Sequence, residues 1–591
     1  MDYYNNFYKK NKLYIFFSFS ITIIFFSYYL MFYIKNNVEL PYLSWIDQFK
    51  AIGYKMFDSN LKFKDFFTHY GEHGLLGNNI LFYFNIKWFG MTTLYDTFIN
   101  AFFILVVAII IDIFIVNKMN DNIFKFILTI LLINFILFER LQLSSGAMET
   151  QVRIGLNLGI FYLFYIDHFI KKDVLNKKDY IVLILLGFLT INVFGTMYSF
   201  AIVPVIICFF LYDLIINKKL NKKILLIIGL LFIFSIFYFL EYDLISFMKN
   251  SHSSDAASSG IIGNAFYLLK NFGNTFKGYL AYSGIPLVGY SAISDNKISD
   301  TTLLMVGAIV FILMVFSIFV FFFKKNYIIS NFPIFIILYS IFTIFIVMIG
   351  RPFDWPWYYS EWYIVHSRFQ LIGIFLIISM NSSIKQLFSK ITFIIFGISN
   401  ISIIIFLIFT ENMYVDRYYY VVQYYKEKQE YLLISNTDYI PLNDEGNTPI
   451  LTDLDTTIEY VDYLKKYNLS IYRYSNITNN YYDTSLKAGY YEKEEQTDLS
   501  FWLKKYSISY FNSNDESISF GLYTPKVYEN NYVTIKINNE IVYHEYLIEY
   551  QHLTFNLKAN ELNCIEIAVD KIIDSGLDTR ELGVMIIPDK K

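Results

Sequence analysis

Leu13-Tyr-Ile-Phe-Phe-Ser-Phe-Ser-Ile-Thr-Ile-Ile-Phe-Phe-Ser-Tyr-Tyr-Leu-Met-Phe-Tyr-Ile34 contains no charged residue. At 1.5 Å per residue it is long enough to cross a bilayer core of about 30 Å. Lys9, Lys10 and Lys12 precede it, and no small-residue cleavage site follows. The run therefore reads as a retained helix with a cytoplasmic N-terminus, and not as a removed signal peptide. Similar runs recur near 98–117, 122–138, 153–170, 179–197, 199–216, 223–241, 302–323, 331–350, 369–381 and 391–410, making about eleven. The fifth and sixth are separated by little more than Gly195-Thr196.

Composition agrees. Of 591 residues 55% are hydrophobic, 20% aromatic and only 17% charged, with mean hydropathy +0.40. A soluble enzyme, a disordered scaffold and a nucleic-acid binder are disfavoured together. Residues 1–410 carry +9 and residues 411–591 carry −12. This predicts a polytopic α-helical membrane domain over 1–410, followed by an extracytoplasmic domain. Lysine clusters at Lys118, Lys171-Lys172, Lys218-Lys219, Lys324-Lys325 and Lys385 with Lys390 fall on alternate connections, as the positive-inside rule requires. The outer loops are then 35–97, 139–152, 242–301 and 351–368. The two cysteines, Cys208 and Cys564, provide neither a disulfide framework nor a metal site.

The same count puts all seven arginines outside, against 41 lysines overall. Guanidinium forks match phosphate and carboxylate bidentately, whereas topology signals use either cation. In 351–368, Arg351 and Arg368 flank Trp355, Trp357 and Trp362. Arginines hold a lipid phosphate at headgroup depth and aromatic faces stack on sugar rings; an interfacial aromatic belt with snorkelling arginines has the same composition. Arg153 begins the fourth run, where it must stay near the surface or face a polar cavity; spaced i, i+4 from Glu149, it also suits a local helix pair.

The first outer loop carries Asp47 in Leu43-Ser-Trp45-Ile-Asp47-Gln-Phe49. A carboxylate held at the outer interface beside an anchoring tryptophan accepts a proton from a hydroxyl nucleophile when apolar neighbours raise its pKa. A solvated loop aspartate is the other reading. His69-Tyr-Gly-Glu72-His73-Gly74 joins two imidazoles and a carboxylate, but fits no zinc signature. Glu72 and His73 thus have a substrate-orienting or a structural role, and no metal site is expected. Asp112, Asp167, His168 and Asp213 lie near predicted cytoplasmic ends, with no mid-membrane chain of ionisable groups, which weighs against a proton-coupled transporter. Neither a P-loop nor a dinucleotide fingerprint is present.

The tail divides into an α/β segment over 411–515, with a helix near Thr456–Tyr467, and a β-rich module over 516–591. Asn538-Asn539 between two alternating runs, 532–537 and 540–543, predicts a hairpin.

Taken together, eleven runs, a long first outer loop with an early aspartate, an outer rim of arginines and an outer C-terminal domain resemble the GT-C superfamily of membrane glycosyltransferases, which use polyprenyl-phosphate sugars. The chain is similar to bacterial members whose first outer loop carries Asn-Glu-His-Arg and whose late outer loop carries Gly-Arg and then Ser-Arg-Tyr. Here these are Gly71-Glu72-His73-Gly74, Gly350-Arg351 and Ser367-Arg368-Phe369. In the tail, Leu577-Asp578-Thr-Arg580-Glu-Leu-Gly583 resembles the ending of β-sandwich modules on surface-polysaccharide enzymes.

The resemblance implies an inverting transfer at the outer face of a bacterial cytoplasmic membrane. The donor is a lipid-phosphate sugar, the acceptor a surface glycan of the cell wall, capsule or O-antigen, and no nucleic acid takes part. It implies Asp47 as general base, Arg351, Arg368 and Arg153 on the donor phosphate, and Glu72, His73 and the three tryptophans on sugar or acceptor; a divalent metal stays open. Two other readings fit the residues: a polysaccharide polymerase or ligase using a lipid-diphosphate-linked oligosaccharide, and a lipid-linked glycan transporter.

Overall fold

A computed structural model describes residues 2–35, 37, 44–70, 73–118, 123–138, 147–216, 218, 220–242, 260–288, 298–350, 364–381, 454–467, 469–473, 487–491, 500–525, 531–572 and 582–588. The chain forms two compact units, one of Met1–Asn37, Asp47–Phe84 and Leu94–Val421, the other of Val38–Ile46, Asn85–Thr93 and Val422–Lys591.

The first unit is helical. Its elements include α1 (Asp2–Lys35), α2 (Ser44–Gln48, which begins in the other unit), α3 (Tyr54–Phe57), α4 (Leu76–Phe89), α5 (Thr93–Lys118), α6 (Ile123–Leu137), α7 (Ala147–Lys171), α8 (Lys177–Phe188), α9 (Ile202–Ile215) and α10 (Lys222–Glu241). Then follow α11 (Gly260–Lys270), α12 (Phe272–Val288), α13 (Asp300–Phe323), α14 (Phe332–Gly350) and α15 (Ile364–Asn381). Six segments among the described residues are long and apolar enough to cross a membrane: Leu13–Lys35, Thr93–Asn117, Met197–Ile215, Lys222–Glu241, Asp300–Phe323 and Phe332–Gly350. That is consistent with a multi-pass membrane protein, although with fewer qualifying spans than the eleven runs read from sequence. The run 122–138 forms a shorter helix, and 179–197 breaks into α8 and a π-helix, Leu189–Val193. The run 391–410 lies outside the described residues.

Local signals set the helix ends. Asn176 caps α8, accepting from Asp179 N at 3.1 Å while its own N–H donates to Asp179 Oδ2 at 2.8 Å. Ser299 caps α13 through Thr302 N at 3.2 Å.

The expected outer loop 242–301 contains α12, whose second half is buried against α13, α14 and α15. Glycine makes this packing possible: a Cβ on Gly307 of α13 would stand 1.8 Å from Leu280 O of α12. Apolar helices without a water-driven force between them associate through such small-residue contacts.

The second unit contains α16 (Leu454–Lys466), at the expected place, and an antiparallel sheet. Its strands are β3 (Lys487–Tyr490), β4 (Phe501–Ser513), β5 (Ser517–Tyr523), β6 (Asn531–Ile537), β7 (Glu540–Leu547), β8 (Tyr550–Asn556), β9 (Glu561–Val569) and β10 (Met585–Pro588). They are ordered β7-β6-β9-β4-β10-β5-β8, with β3 on β4. The outermost strands, β7 and β8, are consecutive in the chain and linked by a Tyr543–Gln551 hydrogen bond. The sheet thus curls toward closure and is barrel-like, which corrects the β-sandwich expectation: β4 pairs with β9 along one stretch and with β10 along another, so one curved sheet replaces two facing ones. The sheet also draws in β3 and β4, which precede residue 516. Leu503, Phe520, Val533, Ile535, Ile565 and Ile586 fill its interior.

The hairpin forms where expected. Asn538 (φ 52°) and Asn539 (φ 70°) both adopt the left-handed conformation of a type I′ turn. Asn538 also accepts from Cys564 N at 2.8 Å and donates to Asn563 Oδ1 at 3.0 Å, which anchors the turn to β9.

Candidate functional site

Asp47 occupies α2, directly after the first membrane-length helix. It is exposed, whereas Trp45 and Gln48 on the same short helix are buried. Trp45 therefore serves packing and not surface anchoring. Protein atoms around the Asp47 carboxyl partly desolvate it and push its pKa above the usual value, while Lys50 pulls it down. Gln48 donates to Asn79 Oδ1 at 3.0 Å, and Asn79 Nδ2 donates to Phe66 O at 2.8 Å and Thr68 Oγ1 at 2.7 Å. The buried amides thereby fasten the segment bearing Asp47 to α4. A π-helix, Phe49–Gly53, follows immediately; such turns recur at functional sites.

His73 lies on β2 (His73–Gly74), paired with β1 (His69–Tyr70) so that Tyr70 faces His73. It is 3% exposed. Gly74 N donates to Tyr238 Oη at 2.8 Å, Leu76 N donates to Tyr242 Oη at 3.3 Å, and Tyr242 Oη donates to Asn192 O at 3.2 Å. Two tyrosines of α10 and the following turn thus hold the hairpin and the start of α4. A Cβ at Gly74 would stand 2.5 Å from the Tyr242 ring. The arginine of the resembled motif has no room here, because Tyr242 fills its place.

The Gly195-Thr196 break becomes a short turn, Met197–Ala201, entering α9. It brings Tyr198 between two imidazoles: ring centroids are 5.0 Å apart for His73–Tyr198 and 4.6 Å for Tyr198–His366. Met197 N donates to His73 Nδ1 at 3.4 Å. His366, on the first turn of α15, is fully buried, and Ser340 Oγ donates to its carbonyl at 2.5 Å. Arg368 and His73 both lie near enough to act on His366 electrostatically. Hence residues 73, 198, 366 and 368 converge inside the helical unit.

Arg368 Nη1 donates to Ile136 O at 3.4 Å and Leu137 O at 3.3 Å, where α6 ends with carbonyls that have no intrahelical partner. Its guanidinium is thus also a helix cap. Arg153, 7% exposed, sits in the second turn of α7. At Gly155, two residues further along, α7 meets Phe194 O closely enough that a Cβ there would lie at 2.5 Å. Gln151 accepts from Asn78 N at 2.9 Å and donates to Val193 O at 3.1 Å, which ties α4, α7 and the π-turn together.

Of the residues singled out from sequence, Asp47, His73, Arg153 and Arg368 are thus placed, and His73 and Arg368 meet at His366. Glu72, Arg351, Trp355, Trp357 and Trp362 lie outside the described residues, as do Asp578 and Arg580 of the tail motif. Sequence reading missed Tyr198, His366 and Gln151. The Gly195-Thr196 interruption was the available signal for Tyr198, and proximity to Arg368 for His366. Among the described residues no group of three or more His, Cys, Asp or Glu side chains suits a metal ion.

Compared with known family models, curated proteins and solved structures, the chain matches none.

Proposed function

We propose that this chain is a multi-pass membrane glycosyltransferase that moves a sugar from a polyprenyl-phosphate donor to a surface glycan at the outer face of a bacterial cytoplasmic membrane. The observation that carries the reading is Asp47: an exposed carboxyl with a raised pKa, on a short helix directly after the first membrane-length helix. Asp47 takes the proton of the acceptor hydroxyl as its oxygen bonds to the anomeric carbon. The bond from that carbon to the phosphate oxygen breaks, and polyprenyl phosphate leaves with the electron pair. One displacement inverts the anomeric centre. The leaving group is a stable anion, so cationic neighbours suffice to stabilise the developing charge. Arg153 and Arg368 are assigned that task, joined by Arg351. His73, with Glu72 and the tryptophans 355, 357 and 362, orients sugar or acceptor.

Asp47→Asn is expected to lower transfer by about 10²–10⁴-fold, the range of a general base, with unchanged membrane abundance. Mass spectrometry of surface glycans from cells with native and variant protein, matched by immunoblot, reads this as loss of one sugar mass. A lost chain-length ladder would instead indicate a polymerase. Unchanged glycans in the variant, with altered glycans on deletion, would favour a transporter and refute Asp47 as base. The base must be ionised, so its raised pKa moves the acid limb of kcat/KM to higher pH than an ordinary aspartate would give. Removing the opposing charge with Lys50→Met moves that limb to still higher pH.

A further inference from the structure

Away from the residues assigned to transfer, four oxygen-bearing side chains meet inside the helical unit. Ser18 and Thr22 lie one turn apart on α1, Asp112 is on α5 and Asn134 on α6; none is more than 2% exposed. Thr22 Oγ1 donates to Asp112 Oδ2 at 2.7 Å, and Asn134 Nδ2 donates to Thr22 Oγ1 at 3.0 Å and to Ile130 O at 2.9 Å. The Ser18 hydroxyl adjoins the Asp112 carboxyl but makes no hydrogen bond of good geometry. The Asn134 amide oxygen is buried and has no hydrogen-bond donor. Among the described residues, the polar groups acting on the Asp112 carboxyl are the two hydroxyls, and no basic side chain is among them. The sequence suggested an aspartate near a cytoplasmic helix end. Packing encloses it with Thr22, the tenth residue of the span Leu13–Lys35.

A bare carboxylate is costly in such surroundings and is retained where it is paired or serves a function. A single proton satisfies one acceptor, whereas this cluster leaves Asn134 Oδ1 without a donor and Ser18 Oγ without a well-formed hydrogen bond, in addition to the carboxylate. A dehydrated alkali cation gathers all three. One carboxylate with neutral oxygens also suits a single charge better than a divalent ion, whose protein sites gather more carboxylates. We propose that Ser18, Thr22, Asp112 and Asn134 form a binding site for one alkali-metal cation, Na⁺ or K⁺, which neutralises Asp112 and ties α1, α5 and α6 together. The site is independent of the glycosyl-transfer reading.

The test is thermal unfolding of the purified full chain in detergent at pH 8, in NaCl, KCl or choline chloride at equal ionic strength. A cation that binds only the folded state raises Tm with the logarithm of its concentration once that exceeds Kd. The expected result is a rise of several degrees in NaCl or KCl over choline, the better salt identifying the ion. Asp112→Asn, which keeps the shape without the charge, loses that rise while retaining a Tm at or above the native value in choline. Ser18→Ala keeps the rise but requires about tenfold more salt. Radiolabelled Na⁺ or Rb⁺ (for K⁺) retained at one per native chain, and lost in Asp112→Asn, supports the site even if the variant is less stable. Equal Tm in the three salts, or a salt-induced rise that survives in Asp112→Asn, overturns the proposal. Stability that follows pH alone does so too, because the carboxyl would then be held by a proton.

Discussion

The two units both bury an apolar core but turn different surfaces outward. In the helical unit large apolar side chains face outward, with Phe16, Phe232 and Phe319 more than 60% exposed, while Asn79, Gln151, His366 and Gln370 are fully enclosed. In the β unit Leu503, Ile535 and Ile565 are enclosed, while the polar and charged Glu540, His544 and Glu545 face outward. Apolar groups gain from leaving water but gain nothing over lipid, so the first arrangement suits a bilayer and the second suits water. The contrast also explains where chemistry gathers. Polar groups inside an apolar-coated bundle need partners, and they find them at helix crossings.

The strongest way to break this comparison is at the closest helix contact. Gly307→Leu would drive a side chain into Leu280 O, and separation of α12 from α13 is expected. Loss of a folded membrane fraction, read by detergent size-exclusion chromatography, is the expected outcome; normal behaviour would refute backbone-to-backbone packing.

Thiol chemistry sharpens the contrast. Burial pushes Cys564 of the β unit up to about 12 from an ordinary 9, so alkylation at pH 8 is expected to run about a thousandfold slower than for a free thiol until the domain unfolds. Cys208 is exposed on α9, in a membrane-length segment. It is expected to react with a membrane-permeant maleimide and to resist a charged one. Labelling of native vesicles, read by peptide mass spectrometry, checks both.

A smaller effect is expected at the hairpin beside the site. Tyr242→Phe strips the Leu76 N–H and the Asn192 carbonyl of their partner and costs about 1–3 kcal/mol of stability. Thermal unfolding of the purified variant measures it, and an unchanged Tm would mean that water replaces the hydroxyl. Smallest, and opposite in sign, is Asn539→Gly. It relieves a left-handed non-glycine residue in the type I′ turn and stabilises the β unit by up to about 1 kcal/mol, as a small rise in its Tm.

Much of the helical pattern was legible because an apolar run of fixed length has few alternatives to a helix in lipid. The Asn538-Asn539 hairpin was legible for a similar local reason, since few dipeptides accept two left-handed conformations. Curvature of the sheet was not. It depends on β4 pairing with β9 and β10, contacts far apart in sequence. Nor was α12 read as a core helix, because its glycines and polar residues lower its apolar signal while allowing close packing. In the site, Asp47 and Arg368 stood out by residue type. Tyr198 did not, for a tyrosine among 53 carries no signal until His73 and His366 lie on either side of it.

The sequence by itself determined a multi-pass arrangement of apolar helices, though not their number, together with the acidic β-rich tail and the residue types of the site, because these follow from hydropathy, charge and turn chemistry within short windows. Only the tertiary structure decided that Tyr242 fills the space a side chain at Gly74 would need, that two imidazoles flank one phenol, and that Asp112 meets Ser18 and Thr22, with Asn134 on Thr22. Those outcomes depend on which helices cross and at what height, and crossing geometry is set by steric fit between residues 90 or more positions apart.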